Sequence, residues 1–219
     1  MYELALFPLY TVLFPGMPLN LHIFEPRYRL MIKRCLEHNH PFGVVLIRKG
    51  EEAMGPLAEP YITGCTARIA RTDHQKDGSL NLTVLGEERF RILELEYKEP
   101  YLLGKVETWM LEHPHTLHLL RKLPLLRQQV TAYLRLITPL IGDEFDVSSL
   151  QLPDDPLMLV YLAASLLQLP PNEKQPLLEA QTANQLVADV MRLYGREMCL
   201  LPRLSDVSRD DSIRAAEMN

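Results

Sequence analysis

From residue 4 to about residue 110 the apolar residues come in short runs, broken by Gly, Pro and polar turns, which is the pattern of strands in an antiparallel sheet or barrel. The runs are ELALFPL, LNLHIF, FGVVLIR, YITGCTARIART, SLNLTVLGE, RFRILELEY and YLLGKVETWM. Lys76-Asp77-Gly78-Ser79 separates two of them, and Asp-Gly between alternating residues predicts a hairpin with Thr72 and Leu80 near each other on facing strands. In RFRILELEY, Phe90, Ile92 and Leu95 alternate imperfectly with Arg89, Arg91, Glu94 and Glu96, which predicts a half-buried strand with one wet face. One segment breaks the strand pattern. In PRYRLMIKRCLEHN, Tyr28, Met31, Ile32, Cys35 and Leu36 recur at helical spacing, and Pro26 is acceptable in a first turn.

After His113-Pro114-His115 the period lengthens from two to about three and a half. Leu119, Leu123, Leu126, Val130, Tyr133, Leu134 and Ile137 fall on one stripe, predicting a helix that ends before Pro139 and Gly142 and that Pro124 starts or kinks. Asp154-Asp155-Pro156 reads as an acidic cap followed by a first-turn proline, opening an almost wholly apolar helix, LMLVYLAASLLQL, expected to be buried on most sides. NEKQPLLEA is a short further segment. Thr182 with Gln185 forms a capping box for a last helix, ANQLVADVMRLYGREM, and the polar residues after Pro202 read as a frayed tail. The expected class is α+β, with an N-terminal β part over 1–112, a helical bundle over 113–201 and a flexible tail over 202–219.

Composition narrows the classes. With 219 residues, 47% hydrophobic and 23% charged, the chain has the make-up of a globular protein with a real core. The net charge of −5, and a sequence with no obvious basic stripe, argue against nucleic acid or acidic lipid as partner. MYELALFPLY lacks the charged start and long apolar core of a signal peptide, and no apolar run is long enough to span a bilayer, so a cytoplasmic location is expected. Cys35, Cys65 and Cys199 are far apart, without metal-ligand or disulfide spacing, and read as small buried hydrophobes.

Several ordered blocks carry a more specific signal: LFPLYTVLFPGMPLNLHIFEPRYRLMIKRCL, FGVVLI, GCTARIA, DGSLNLTVLGEERFRI and PYLLGKVE. Over 6–107 the chain resembles the LON substrate-binding domain, the N-terminal domain of the Lon proteases; the helical remainder to about residue 200 fits less specifically. The resemblance implies a PUA-like pseudobarrel of mainly antiparallel strands with one early helix, related in shape to part of cereblon, followed by a helical bundle. It also implies recognition of unfolded or tagged polypeptides. No GxxxxGK[ST] phosphate loop and no Ser-Lys peptidase follows, so the expectation is a stand-alone, non-enzymatic recognition module without cofactor or metal.

Within this frame, His22, Glu25, Arg27, Tyr28 and Arg29 raise the question of a catalytic cluster. They share one strand end and helix start and lack a nucleophile with its base, so they read as a folding device. Pro15-Gly16 makes a turn, and Leu19, Leu21 and Ile23 share a face. Glu25 caps the helix or pairs with Arg89, and Arg27, Tyr28, Gly86 and Arg89 complete the structural motif. Gly43, Gly64 and Gly86 read as bulges or bends at barrel corners. His113 and His115 lack a third metal ligand, and Ser79 and Ser165 lack an activating partner.

Tyr61, Tyr101, Trp109 and Met110, with Met54, are apolar residues near loops or the β-to-helical junction. They are the candidate lining of a peptide groove, with plain packing as the alternative. The expected partners are unfolded or client polypeptides, with a Lon-type protease as a candidate, and neither nucleic acid nor membrane. The rival readings are a small-molecule or RNA-binding PUA-like barrel, and a hydrolase whose residues are dispersed.

Overall fold

A computed structural model describes residues 1–52, 57–141 and 151–217, with the backbone alone for 140–141 and 202–217. Met54 and Gly142 lie outside the described residues. The elements in chain order are β1 (Tyr2–Leu9), β2 (Pro18–Ile23), α1 (Pro26–His38), β3 (Phe42–Lys49), β4 (Glu59–His74), β5 (Leu80–Glu96), β6 (Leu102–Thr108), α2 (Leu117–Ile141), α3 (Pro156–Leu166), α4 (Pro171–Leu178) and α5 (Ala183–Glu217). They form two compact units. One holds Met1–Glu112 with Ala164–Gln181, the other His113–Ala163 and the chain from Thr182 onward.

In the first unit, β1 lies parallel to β3, with Leu6 beside Gly43 and Leu9 beside Leu46. The other pairings are antiparallel: β3 with β4, β4 with β5, β5 with β6 and β6 with β1. These pairings close a ring, and β2 is added on the first half of β5. The parallel pair requires a crossover, which β2 and α1 supply. Leu4, Leu6, Val45, Phe90, Ile92, Leu102 and Val106 fill the ring. The Phe90 ring takes the space that two glycines leave, since a Cβ at Gly43 or Gly64 would lie 2.6 Å from its Cζ.

Several details differ from the sequence expectation. SLNLTVLGE and RFRILELEY are one strand, because Gly86 continues the ladder opposite Ala67 instead of breaking it. The Asp77-Gly78 hairpin does form as expected: Thr72 faces Leu82 and His74 faces Leu80, which leaves Thr72 and Leu80 near each other on facing strands. The turn spans five residues: Gln75 N–H donates to the Ser79 carbonyl at 2.9 Å, and Gly78, at φ 81°, donates to the Gln75 carbonyl at 3.0 Å. The wet face expected of RFRILELEY fails at Arg89, which is 3% exposed beside the fully buried Phe90. A bulge between Cys65 and Ala67 and another between Ile92 and Glu94 shift the side-chain parity along β5.

In the second unit the expected stripe on α2 is the buried one, from Leu119 to Ile137. Tyr133 meets Tyr194 of α5 edge to face at 5.2 Å, and the Tyr194 hydroxyl donates to the Ala163 carbonyl at 2.8 Å. Each helix start has a side-chain acceptor. Thr116 Oγ1 receives the Leu119 amide at 3.0 Å, Asp155 Oδ1 the Met158 amide at 2.8 Å and Thr182 Oγ1 the Gln185 amide at 3.1 Å. Contrary to expectation, α2 runs through both Pro124 and Pro139 to Ile141. Both prolines are exposed, so the carbonyls they leave without a helical donor can be satisfied by water. α5 likewise remains helical past Pro202 to Glu217, over the stretch read as a tail.

Candidate functional site

The stretch that opened the catalytic question is built from two local devices. Phe14, Pro15, Gly16 and Met17 form a tight turn closed by the Met17 amide on the Phe14 carbonyl at 3.1 Å, with Gly16 at φ 76°. That turn sits on Gly86. Gly16 donates to the Gly86 carbonyl at 2.8 Å and Gly86 to the Met17 carbonyl at 2.9 Å, so close that a Cβ at Gly86 would stand 2.3 Å from the Phe14 oxygen.

The second device is the start of α1. Glu25 occupies the N-cap position but its carboxylate makes no cap hydrogen bond, which corrects the expected capping role. It pairs with Arg27 at 2.9 Å, and the Arg27 guanidinium lies 4.8 Å from the centre of the Tyr28 ring. Tyr28 is buried against Phe7, with ring centres 4.2 Å apart, and burial pushes its phenol up. His22 points elsewhere, with Nδ1 2.7 Å from the Asn81 amide oxygen and its ring stacked on Phe24. The charged groups are thus spent locally on packing and pairing, and do not converge on one reacting atom.

Arg89 has a different job from the one expected. Its Nη1 donates to the carbonyls of Leu178 and Ala180, both at 2.7 Å, and so ties the end of α4 to β5. Gln175 reinforces the tie by donating to the Thr63 carbonyl at 3.0 Å. The guanidinium groups of Arg89 and Arg91 lie 5.4 and 4.0 Å from the Trp109 ring centre. Trp109 is therefore held by two cations.

Of the four candidate peptide-binding residues, Tyr101 lines a well-formed groove. Trp109 is half-buried under Arg89 and Arg91, Met110 is 79% exposed, and Tyr61 is half-buried on β4. The groove has a volume of about 490 Å³. Its apolar floor includes Leu4, Met31 and Leu103, with Tyr2 and Tyr101 in its walls and Arg34 between. The buried Tyr101 hydroxyl accepts from Arg34 Nη1 at 2.8 Å, and the same guanidinium nitrogen meets Glu99 at 3.0 Å. The groove's thiol, Cys35, is pushed up to about 11 by burial, and Cys65 to about 12. Both stay protonated at neutral pH and so are poor nucleophiles. Cys199, read from the sequence as a buried hydrophobe, is exposed.

Sequence reasoning missed Tyr2, Ala5 and Arg34 as lining residues. The signal was present in α1, where Met31, Arg34, Cys35 and His38 share one edge at helical spacing and all line the groove, but the apolar members alone read as core. Tyr2 and Ala5 lie on β1, where alternation tells which residues face one way but not what covers them.

The first unit is thus a ring of mostly antiparallel strands with a groove beside α1, apolar in its floor and edged by Arg34, Glu3, Glu87 and Glu88. The family follows from comparison: the profile described as the ATP-dependent protease La (LON) substrate-binding domain matches residues 3–194, and the chain belongs to that family. A Lon protease of Syntrophus aciditrophicus is 27% identical over 206 residues, which cover 90% of this chain and 25% of that protein. One from Parabacteroides distasonis is 35% identical over 95 residues, 43% of this chain and 12% of that protein. The chain therefore spans about a quarter of the length of the first of these relatives, and what is matched is the substrate-binding domain, not an ATPase or peptidase domain.

Solved structures agree on the fold. A Lon N-terminal domain protein from Xanthomonas campestris superposes with a TM-score of 0.66 at 24% identity, covering 88% of this chain and 98% of that one. The N-terminal domain of Mycobacterium avium complex Lon protease gives 0.67 at 16% identity, covering 89% and 98%. Among the described residues no helix is long and apolar enough to cross a membrane.

Proposed function

We propose that this chain binds unfolded or partner polypeptides in the groove between α1 and the β1–β6 pair, and serves Lon-type proteolysis as a recognition module or adaptor. The observation that carries the reading is the groove itself, in a domain of the LON substrate-binding family. Its apolar floor is open enough to take side chains from an extended segment, and Arg34 offers donors to that segment's carbonyls. Affinity then comes mainly from apolar burial and main-chain hydrogen bonds, so it falls in the micromolar range and resists salt.

The test is a titration of a fluorescein-labelled, reduced and alkylated unfolded protein against wild type, Tyr2→Ala and Ala5→Phe. Tyr2 is 39% exposed and Ala5 half-buried, so neither change opens the core. Tyr2→Ala should weaken binding about tenfold and Ala5→Phe, which fills the groove, at least as much. Saturable binding untouched by both variants, or the absence of saturable binding to wild type, overturns the proposal.

A further inference from the structure

Among the described residues, α2 has an outward face that the packing of its own unit does not use. Its 25 residues include Arg121, Lys122, Arg127 and Arg135 and no Asp or Glu, within a chain of net charge −5. Whole-chain acidity therefore conceals one helix of uniformly positive sign, a feature that a search for a basic run along the sequence passes over. Opposite the buried stripe, Leu117 is 72% exposed, Leu120 and Leu125 48% each and Leu136 38%. Large aliphatic side chains on both flanks of one exposed helix face mark an interaction surface better than scattered single residues do.

The arrangement selects the occupant. At 3.6 residues per turn, Arg121, Gln128 and Arg135 run down the middle of the outward face, with Leu120 on one flank and Leu125 and Leu136 on the other. An interfacial helix in a bilayer needs one continuous apolar side, and this face has its cations in the centre. Between Arg127 and Arg135, one turn to either side of Thr131, lies a depression of about 380 Å³ that Gln128 and Ala132 also line. Arg127 is fixed at the rim through the carbonyls of Leu152, at 3.3 Å, and Pro153, and lies 3.7 Å from Asp154. Small residues between long ones, at i and i+4 spacing, form the groove that receives a ridge from another helix.

We propose that this face of α2 docks an acidic amphipathic helix of a partner polypeptide. Its leucines pack beside Leu120, Leu125 and Leu136, and its carboxylates meet Arg121 and Arg135. The inference stands apart from the groove on the β unit: it concerns a folded helix read by charge, and its binding weakens with salt where groove binding does not.

The test uses a synthetic helix of about 18 residues that carries a row of glutamates flanked on both sides by leucines, and a matched peptide with lysine for glutamate. Fluorescence anisotropy with the full chain should show saturable binding of the acidic peptide, and at least about tenfold weaker binding of the basic one. Arg121→Glu with Arg135→Glu should reverse that preference while circular dichroism, melting temperature and unfolded-protein binding stay as in wild type. Leu120→Ser with Leu136→Ser should weaken both peptides. Equal affinity for the two peptides, or no binding of the acidic one, overturns the proposal. So does binding to anionic vesicles or duplex RNA in its place, or sedimentation showing the face occupied by a second copy of this chain and released by the charge reversal.

Discussion

Single residues decide whether the turns of the β unit close. Gly86 lets the Pro15-Gly16 turn lie directly on β5, and a Cβ there would meet the Phe14 oxygen at 2.3 Å. Gly86→Ala should therefore lower unfolding stability by about 3 kcal/mol by denaturant titration, as overpacking of a rigid contact does; an unchanged midpoint would show that the turn can shift aside. At the hairpin tip, Asp77 accepts from the Ser79 amide at 2.9 Å and the Ser79 hydroxyl at 2.7 Å. These bonds hold its carboxyl below the usual range. A folded-state pKa below the unfolded one means the contribution is complete above the unfolded value and is lost as pH falls through the folded one. Protection of the Ser79 amide relative to its intrinsic exchange rate should fall in that acid window in wild type and show no pH step in Asp77→Ala. Asp-Gly was legible as a hairpin that brings Thr72 and Leu80 near each other, whereas the length of the turn follows from the Asp77–Ser79 bonds, which support five residues. Glu25 misled: its position predicts a cap, but Arg27, two residues on, takes the carboxylate.

Among the elements, the tie between β5 and α4 is the one most exposed to a single change. Arg89→Met keeps the bulk of the side chain but leaves the Leu178 and Ala180 carbonyls without the donor they share. The expected cost is about 3 kcal/mol, since buried acceptors lose a charge-assisted bond. Hydrogen exchange should rise first over 171–180 while the β1–β3 pairing stays protected; uniform loss of protection would mean that α4 and the ring unfold as one. The buried stripe of α2 was readable because seven apolar residues keep a helical period over five turns. Its prolines were misread because proline breaks a helix where its lost bond is buried, and both of these face solvent. Thr116→Ala should cost about 1 kcal/mol, the value of a hydroxyl N-cap, by thermal melting; no change would mean that solvent replaces the Oγ1 bond. The parallel β1–β3 pair had no local signal, since it joins strands separated by β2 and α1.

For the molecule as a whole, the family was legible in ordered blocks of residues, and the profile match over 3–194 bears it out. Of the residues that line the groove, the sequence pointed to Tyr101. Grooves form where elements distant in sequence meet, and Tyr2 and Arg34 come together through pairings that no short stretch specifies. Net charge was also a poor guide to surface, because a sum of −5 conceals a helix with four cations and no acid. The role proposed for the groove beside α1 is to hold other chains. The most direct measurement is the affinity of wild type and Ala5→Phe for a labelled unfolded protein, at low and at high salt. Micromolar binding that persists in salt and is lost in Ala5→Phe, with the melting temperature kept, is the expected result; equal binding by both proteins would contradict it.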